Sequence, residues 1–450
     1  MLATYYPLFL LIAAIAFIVW STACKKINPF FVLLAAALFV GVLSGLPLSE
    51  MVNALKLGFG HTMEKIGLLI IHGTTLGVIL EKTGATLSMA TTILQRVKEK
   101  NAPLAISITG FIVGIPIFCD SGFIILSGLN HSLVKKTNQP MPVMAAALAS
   151  SLYAVHCLVP PHPGITAATG SMGGDLGTII LWGILLAIPA AFVGYIYGAW
   201  RGKKITEAYE EQEDVQTTLL QLPPAWLSFV PIIFPIVLIA FKSMVMLYTS
   251  AAEIAASSGL QMLSFAGDPV IALLLAILLS VTLIGKQGNA EWKHWLSDGV
   301  HKSGMILGII AAGGMFGEML QATGIGKHIG AMLGGLSIGI FVPFLFAAIL
   351  KTAQGSSTIA VITAASLVAP MLPVLGLHTP TGSTLAILSL GAGSMVVSHA
   401  NDANFWVISR FSNLSTASTL KVYSSATALM GLTVQLLIWI AWMLMNNEWH

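Results

Sequence analysis

The chain has 450 residues, of which 56% are hydrophobic and 9% charged, with a formal net charge of +3. An ordinary soluble domain carries about a quarter charged residues, so this composition excludes a soluble globular protein, and the small, dispersed excess of Lys and Arg excludes a nucleic-acid footprint. Three separated cysteines, Cys24, Cys119 and Cys157, fit neither a disulfide framework nor a CxxC metal site.

In chain order the predicted elements are apolar helices. YYPLFLLIAAIAFIVWSTAC (5–24) and INPFFVLLAAALFVGVLSG (27–45) are each close to the length that crosses roughly 30 Å of hydrocarbon. The first lacks a basic n-region and a small-residue cleavage site, which reads as a retained helix and not a secretion signal. HTMEKIGLLIIHGTTLGVILEKTG (61–84) follows, then an interrupted apolar pair over 103–134, a helix broken by LVPPHPGITAATG (158–170), and LWGILLAIPAAFVGYIYGAW (181–200). RGKKITEAYEEQEDVQTTLLQLPP (201–224) is the longest polar run and reads as a solvated linker. Beyond it the order repeats. Two apolar segments, one of them VIALLLAILLSVTLIG (270–285), are separated by an outer loop over 250–269 that has no Lys or Arg. HKSGMILGIIAAGGMFGEMLQATG (301–324), an interrupted pair over 337–372, a helix broken at SHANDANFW (398–406) and a final apolar helix complete the chain.

A shift of 240 residues lays 301–324 over 61–84 with eight identities in 24 positions, among them His61/His301, Gly73/Gly313, Gly77/Gly317 and Gly84/Gly324. Such self-similarity predicts an internal duplication, a frequent way of building a transporter. The predicted fold is an all-α polytopic membrane protein: residues 1–200 form the first repeat, 201–224 a cytoplasmic linker and 225–450 a second, inverted repeat. If each interrupted pair is a re-entrant hairpin, each half crosses the membrane five times, and an odd number inverts the second half. Ten full spans and two hairpins result. With the N-terminus outside, 16 of the 21 Lys and Arg fall on the inner side, whereas Lys56, Lys65 and Lys327 fall outside; this is the positive-inside pattern. The expected location is the inner (plasma) membrane, with both termini on the periplasmic or extracellular side.

Irregular backbone at membrane depth is tolerated only where protein or a water-filled cavity satisfies its N–H and C=O groups. FCDSG (118–122), the PPHPG region, KTAQGSST (351–358) and SHANDANFW therefore mark a midplane cavity. Helices restarting at Gly122, Ile165, Ser356 and Asn404 point N–H groups and positive dipole ends into it, which suits a carboxylate. The candidate substrate contacts are Ser121, Gly122, His162, Thr166, Gln354, Ser356, Ser357, Thr358, Asn401 and Asn404, small polar groups suited to a hydroxylated body. A charged carboxylate at membrane depth is costly and needs a role, which makes Asp120 the first candidate for proton coupling and Asp402 the second. The competing reading of Asp120 is a cap on the next half-helix. Lys351 is a candidate partner for a carboxylate or for substrate, and Lys242 reads as snorkelling. His156 reads as a core histidine bonded to a backbone carbonyl, and His399 pairs with Asp402 if that stretch is helical. No cofactor is expected, and no His, Cys or carboxylate cluster has metal-ligand spacing.

At these residues the chain resembles the gluconate:proton symporter family, GntP, within the ion-transporter superfamily. PPHPG (160–164), the GIPIF-acid-x-GF pattern (114–123) and GAGSMVVSHANDANFW (391–406) carry the resemblance, which covers essentially the whole length. It implies import of gluconate or a related sugar acid with protons, through two hairpins and two broken helices, commonly as a homodimer. Ile165 stands where the family has a further proline, and Asp120–Ser121 where its gluconate branch has glutamate and a bulkier apolar residue. Glycerate, fructuronate and D-serine therefore stay open as cargo, and sodium as a coupling ion. Other function classes lack their motifs. There is no HExxH helix for an intramembrane metalloenzyme and no GxxxxGK[ST] loop for ATP-driven transport, and a passive channel has no need of inverted halves.

Overall fold

The computed structural model describes residues 2–95, 101–205, 222–246, 249–284, 291–325 and 339–446, which contain helices and no strand. The first half comprises α1 (Leu2–Val19), α2 (Pro29–Leu43), α3 (Leu48–Lys82), α4 (Ala85–Gln95), α5 (Ala102–Gly114), α6 (Cys119–Thr137), α7 (Met141–Leu158), α8 (Pro163–Ser171) and α9 (Leu176–Gly202). Most of the expected linker, 206–221, lies outside the described residues. After it come α10 (Ala225–Met246), α11 (Ala251–Ala256), α12 (Ser258–Ala266), α13 (Pro269–Ser280), α14 (Trp292–Ala322), α15 (Phe341–Gln354) and α16 (Ser357–Val368). The chain closes with α17 (Pro380–Met395), α18 (Ala403–Phe411), α19 (Thr416–Thr419) and α20 (Ser425–Asn446).

Among the described residues, six helical stretches are long and apolar enough to cross a membrane, and the pair Ser258–Ala266 and Pro269–Leu283, bent by 72°, makes a seventh. Shorter apolar helices account for the other predicted segments. The first arms of the two interrupted pairs, α5 and α15, have 13 and 14 residues; at 1.5 Å per residue each falls short of the roughly 30 Å hydrocarbon core. The segment 250–269, expected as a bare loop, instead forms α11 and α12. Ser250 and Glu253 build a reciprocal capping box, with Ser250 N–H donating to Glu253 Oε2 at 2.8 Å and Glu253 N–H to Ser250 Oγ at 3.3 Å. That local chemistry nucleates a helix that a reading by charge alone passes over.

Large apolar side chains spaced four apart stay exposed on α10 (Ile233, Val237, Phe241) and α20 (Leu432, Leu436, Ile440), the stripe of a lipid-facing helix. Every residue of α7 is buried, as is α17 from Gly382 to Met395. The two long repeated helices, α3 and α14, pack antiparallel through glycine. A Cβ at Gly58 would meet the Gly314 carbonyl, one at Gly299 would meet Thr75, and Lys302 Nζ lies 3.7 Å from Glu81 Oε2. Shifting the Gly58–Gly314 contact by 240 residues gives 298 and 74, one residue from the observed Gly299–Thr75 contact. Both helices end alike. Thr83 and Thr323 cap them by donating to Ile79 O and Met319 O, and Gly84 and Gly324 follow with φ of 73° and 68°, the left-handed region glycine enters at little cost.

Four interruptions lie where the sequence marks them, displaced by one to three residues. The helices restart at Cys119, Pro163, Ser357 and Ala403, not at Gly122, Ile165, Ser356 and Asn404. The first break spans 115–118 around Pro116, whose carbonyl would lie 2.7 Å from a Cβ at Gly77. Pro163 occupies the first helical position of α8, where a missing N–H costs nothing. Gly355, at φ 85°, ends α15 and Ser356 caps α16. Asp402 caps α18. Contacts then cross between the halves: α8 packs on α16, and α6 on α18.

Candidate functional site

The chemistry concentrates where the α15–α16 tip meets the α17–α18 break. Lys351, in the last turn of α15, is fully buried, and its ammonium donates to Asp402 Oδ2 at 2.5 Å and to Gly355 O at 2.5 Å. Its Nζ lies 5.8 Å from the centre of the Tyr153 ring on α7, within cation–π range. Asp402 also accepts from Ser398 Oγ and, through Oδ1, from Asn404 N–H at 3.0 Å. The sequence marks both charges without joining them. Their pairing gives Lys351 its partner, and removing one member of a buried pair costs about 3–5 kcal/mol. Neutral contacts reinforce the junction: Asn401 Nδ2 donates to Thr352 O at 2.8 Å and Ala353 O at 3.2 Å, and His399 Nε2 lies 3.0 Å from Thr352 O. His399 therefore serves the hairpin tip and does not pair with the Asp402 side chain, because the stretch between them is not helical.

Two histidines organise the first broken helix. His162, the N-cap residue of α8, donates Nε2–H to Gly114 O at 2.8 Å, and its Nδ1 faces His156 Nδ1 at 3.2 Å. A carbonyl only accepts, so a neutral His162 carries its proton on Nε2 and accepts at Nδ1. His156 must then donate from Nδ1, which leaves its Nε2 to accept from Thr358 Oγ1 at 3.4 Å. The carbonyl bond belongs to His162 and not to His156. Tyr153 stacks on His156 at 6.3 Å, so one line of contacts runs from Asp402 through Lys351, Tyr153 and His156 to His162.

The remaining candidates surround this line. Asp120 lies in the first turn of α6 and accepts from Ser121 N–H at 2.8 Å, while a Cβ at buried Gly122 would meet Leu152 at 2.9 Å. Ser356 Oγ accepts from Ile359 N–H at 3.3 Å, and Ser357 is buried beside it. A Cβ at Gly164 would lie 3.1 Å from Thr358 Cα, which brings α8 close against α16. Asn404 Nδ2 donates to Tyr423 OH at 2.8 Å. Thr166 Oγ1, Asn404 Oδ1 and both amide atoms of Gln354 are buried without a hydrogen-bond partner among the described residues. Each such atom costs about 1–3 kcal/mol if nothing meets it, so polar matter from outside the chain is the natural complement. Lys242, expected to snorkel, lies 3.8 Å from Asp268.

A cavity of about 330 Å³ adjoins Thr166, lined also by Lys65 of α3, Thr169 and Gly173 around the end of α8, and Asp268 and Val270 at the start of α13. Small-molecule sites begin near this size, about 300 Å³. Thr166 N–H donates to His162 O at 3.0 Å, so a single helical turn joins the cavity to the break at His162. Tyr153 and Tyr423 belong to the site yet carry no sequence signal, since each sits in an otherwise unmarked stretch; Ser398 opens the marked SHANDANFW break without standing out within it.

The family model described as GntP family permease matches residues 6–445. A gluconate permease of Pseudomonas aeruginosa is 32% identical over 433 residues, 94% of this chain and 94% of that one. The D-serine transporter DsdX of Escherichia coli K12 is 30% identical over 429 residues, 93% of this chain and 94% of that one. The crystal structure of the Alcanivorax borkumensis YdaH transporter matches with a TM-score of 0.66 at 12% identity, over 92% of this chain and 99% of that one; this likeness is one of fold.

Proposed function

The chain belongs to the GntP family of permeases, multi-pass membrane transporters and not enzymes, and from that premise we propose that it imports a small hydroxylated organic acid together with protons. Gluconate or a related sugar acid is the first choice of cargo, with glycerate, fructuronate and D-serine as alternatives in the same site. The observation that carries this reading is the set of buried, unpartnered polar atoms on Thr166, Gln354 and Asn404 at three of the four helix interruptions. Neutral donors and acceptors of this kind suit hydroxyl groups. In this reading the acid is held by Ser121, Gly122, His162, Thr166, Gln354, Ser356, Ser357, Thr358, Asn401 and Asn404, and the coupling carboxylates are Asp120 and Asp402.

The antiparallel packing of α3 on α14, and the exchange by which α8 meets α16 while α6 meets α18, support two inverted repeats. Residues 1–200 and 225–450 are the proposed repeats, with ten spans, two hairpins and both termini outside. Under that orientation the cavity beside Lys65 and Thr166 opens outward. Uptake of radiolabelled gluconate, glycerate, fructuronate and D-serine into vesicles reconstituted with the pure protein tests the cargo. Saturable uptake of at least one acid, competed by the unlabelled acid and not by the corresponding neutral polyol, is the expected result. Uptake of none would remove the reading.

A further inference from the structure

The ion pair at the α15–α16 tip suggests how an acid and a proton are made to travel together. Lys351 is the fully buried cation of the site, and Asp402 already occupies it at 2.5 Å. An incoming carboxylate has two obstacles here. Lys351 is taken, and a second carboxylate beside Asp402 would place two like charges in one low-dielectric pocket, an arrangement in which one of them takes a proton. Close to the pair in sequence are the unpartnered amide of Gln354, three residues from Lys351, and the unpartnered Oδ1 of Asn404, whose N–H already bonds Asp402. These atoms suit hydroxyl groups of an acid whose carboxylate meets Lys351.

The geometry points to Lys351 as the carboxylate-binding residue of the transported acid and to Asp402 as a resident stand-in that leaves it by taking a proton. Asp402 accepts H⁺ from water and becomes a neutral carboxyl; its contact with Lys351 is released, and the carboxylate of the acid forms the ion pair in its place. Charge balances at each stage: one cation and one anion before, one cation, one neutral carboxyl and one anion after, with a proton and an anion having entered. Ser398 Oγ and Asn404 N–H, which bond Asp402 in the closed pair, remain to hold it while neutral. The other titratable groups facing the pair are Tyr153, His156 and Cys157 from α7, Cys119 from α6, Tyr423 from the turn before α20, and His399 from the break. None of them contacts Lys351 as an anion. The same exchange unlatches the tip, because the ion pair is the charged member of the junction that Asn401 and His399 complete with Thr352 O and Ala353 O.

This inference rests on the acid-transport reading, and the test separates the two. Binding of gluconate, glycerate, fructuronate and D-serine to the purified protein in detergent is followed by calorimetry between about pH 5.5 and 8.5, with proton uptake read in weak buffer. At least one of the four acids binds the wild type with uptake of a proton, and its Kd rises about tenfold per pH unit over the upper part of that range, the slope of one linked proton. In Asp402→Asn, which frees Lys351 permanently, the proton count per acid falls by one and the slope flattens accordingly. Lys351→Met combined with Asp402→Asn removes both charges, so no lone buried cation threatens folding; it retains the wild-type elution volume and binds the acid at least tenfold more weakly than Asp402→Asn alone. A wild type that binds acid without proton uptake, or an Asp402→Asn variant with an unchanged proton count, would overturn the inference while leaving transport standing. Failure of all four acids to bind the wild type would overturn both.

Discussion

Thr166 shows at the scale of one residue how the site separates function from stability. Its hydroxyl is buried and unpartnered, so Thr166→Val keeps the shape and removes a group the fold does not use. The thermal midpoint of the purified variant should not fall, whereas KM for the transported acid should rise about 2- to 12-fold, the worth of one hydrogen bond of about 0.5–1.5 kcal/mol. A lower midpoint with unchanged KM would make Thr166 a structural residue. Much at this scale is legible from residue type and setting: the charges at Lys351 and Asp402, the histidine among prolines and the small polar groups at the breaks all stand out from apolar surroundings. Their partnerships do not. Lys351 and Asp402 are 51 residues apart, and no spacing rule joins them; the docking of the α15–α16 tip on the α17–α18 break does. The carbonyl bond expected of His156 likewise falls to His162, because the carbonyl concerned, Gly114 O, is contributed by α5.

At the scale of the element, the α15–α16 tip depends on Gly355. It ends α15 at φ 85°, and a Cβ there would run into the backbone carbonyl of Asn401. Gly355→Ala therefore carries the left-handed penalty of about 1–2 kcal/mol and also forces the tip away from the break. Lower thermal stability and a loss of uptake of more than tenfold, with normal membrane abundance, are expected in the same vesicle assay; wild-type uptake would show that the junction tolerates being parted. Helix breaks are the part of the fold the sequence exposes best, since Pro116, Pro160, Pro161, Pro163 and Gly355 act locally. Their displacement by a few residues has a local cause too. Asp120 and the Ser-Gly after it mark a restart, whereas Pro116 makes the break. Less visible are α11 and α12, since the capping box that starts α11 lies in a stretch read only for its lack of Lys and Arg.

For the whole molecule, the 240-residue self-similarity becomes physical in α3 and α14, which meet through glycines at nearly symmetric positions and run in opposite directions. Antiparallel packing of these two similar helices is the arrangement expected if two proposed repeats are joined by an odd number of crossings. A reporter fused after His450 should accordingly report the outside and one inserted near Glu211 the inside; a cytoplasmic C-terminus would contradict the proposed inversion. Hydropathy reveals the number of apolar segments but not which of them are complete spans, because α5 and α15 are as apolar as the spans and shorter than the bilayer core. Those short arms, the two broken helices and the buried charges are the parts that the proposed joint passage of an acid and a proton would use. The most direct measurement is uptake of the transported acid into vesicles containing the purified protein alone, with the exterior either equal in pH to the lumen or about one unit more acidic. The account predicts equilibration in the first case and, in the second, accumulation inside that collapses when a protonophore is added; accumulation that ignores the pH gradient, or equilibration in both cases, would contradict it.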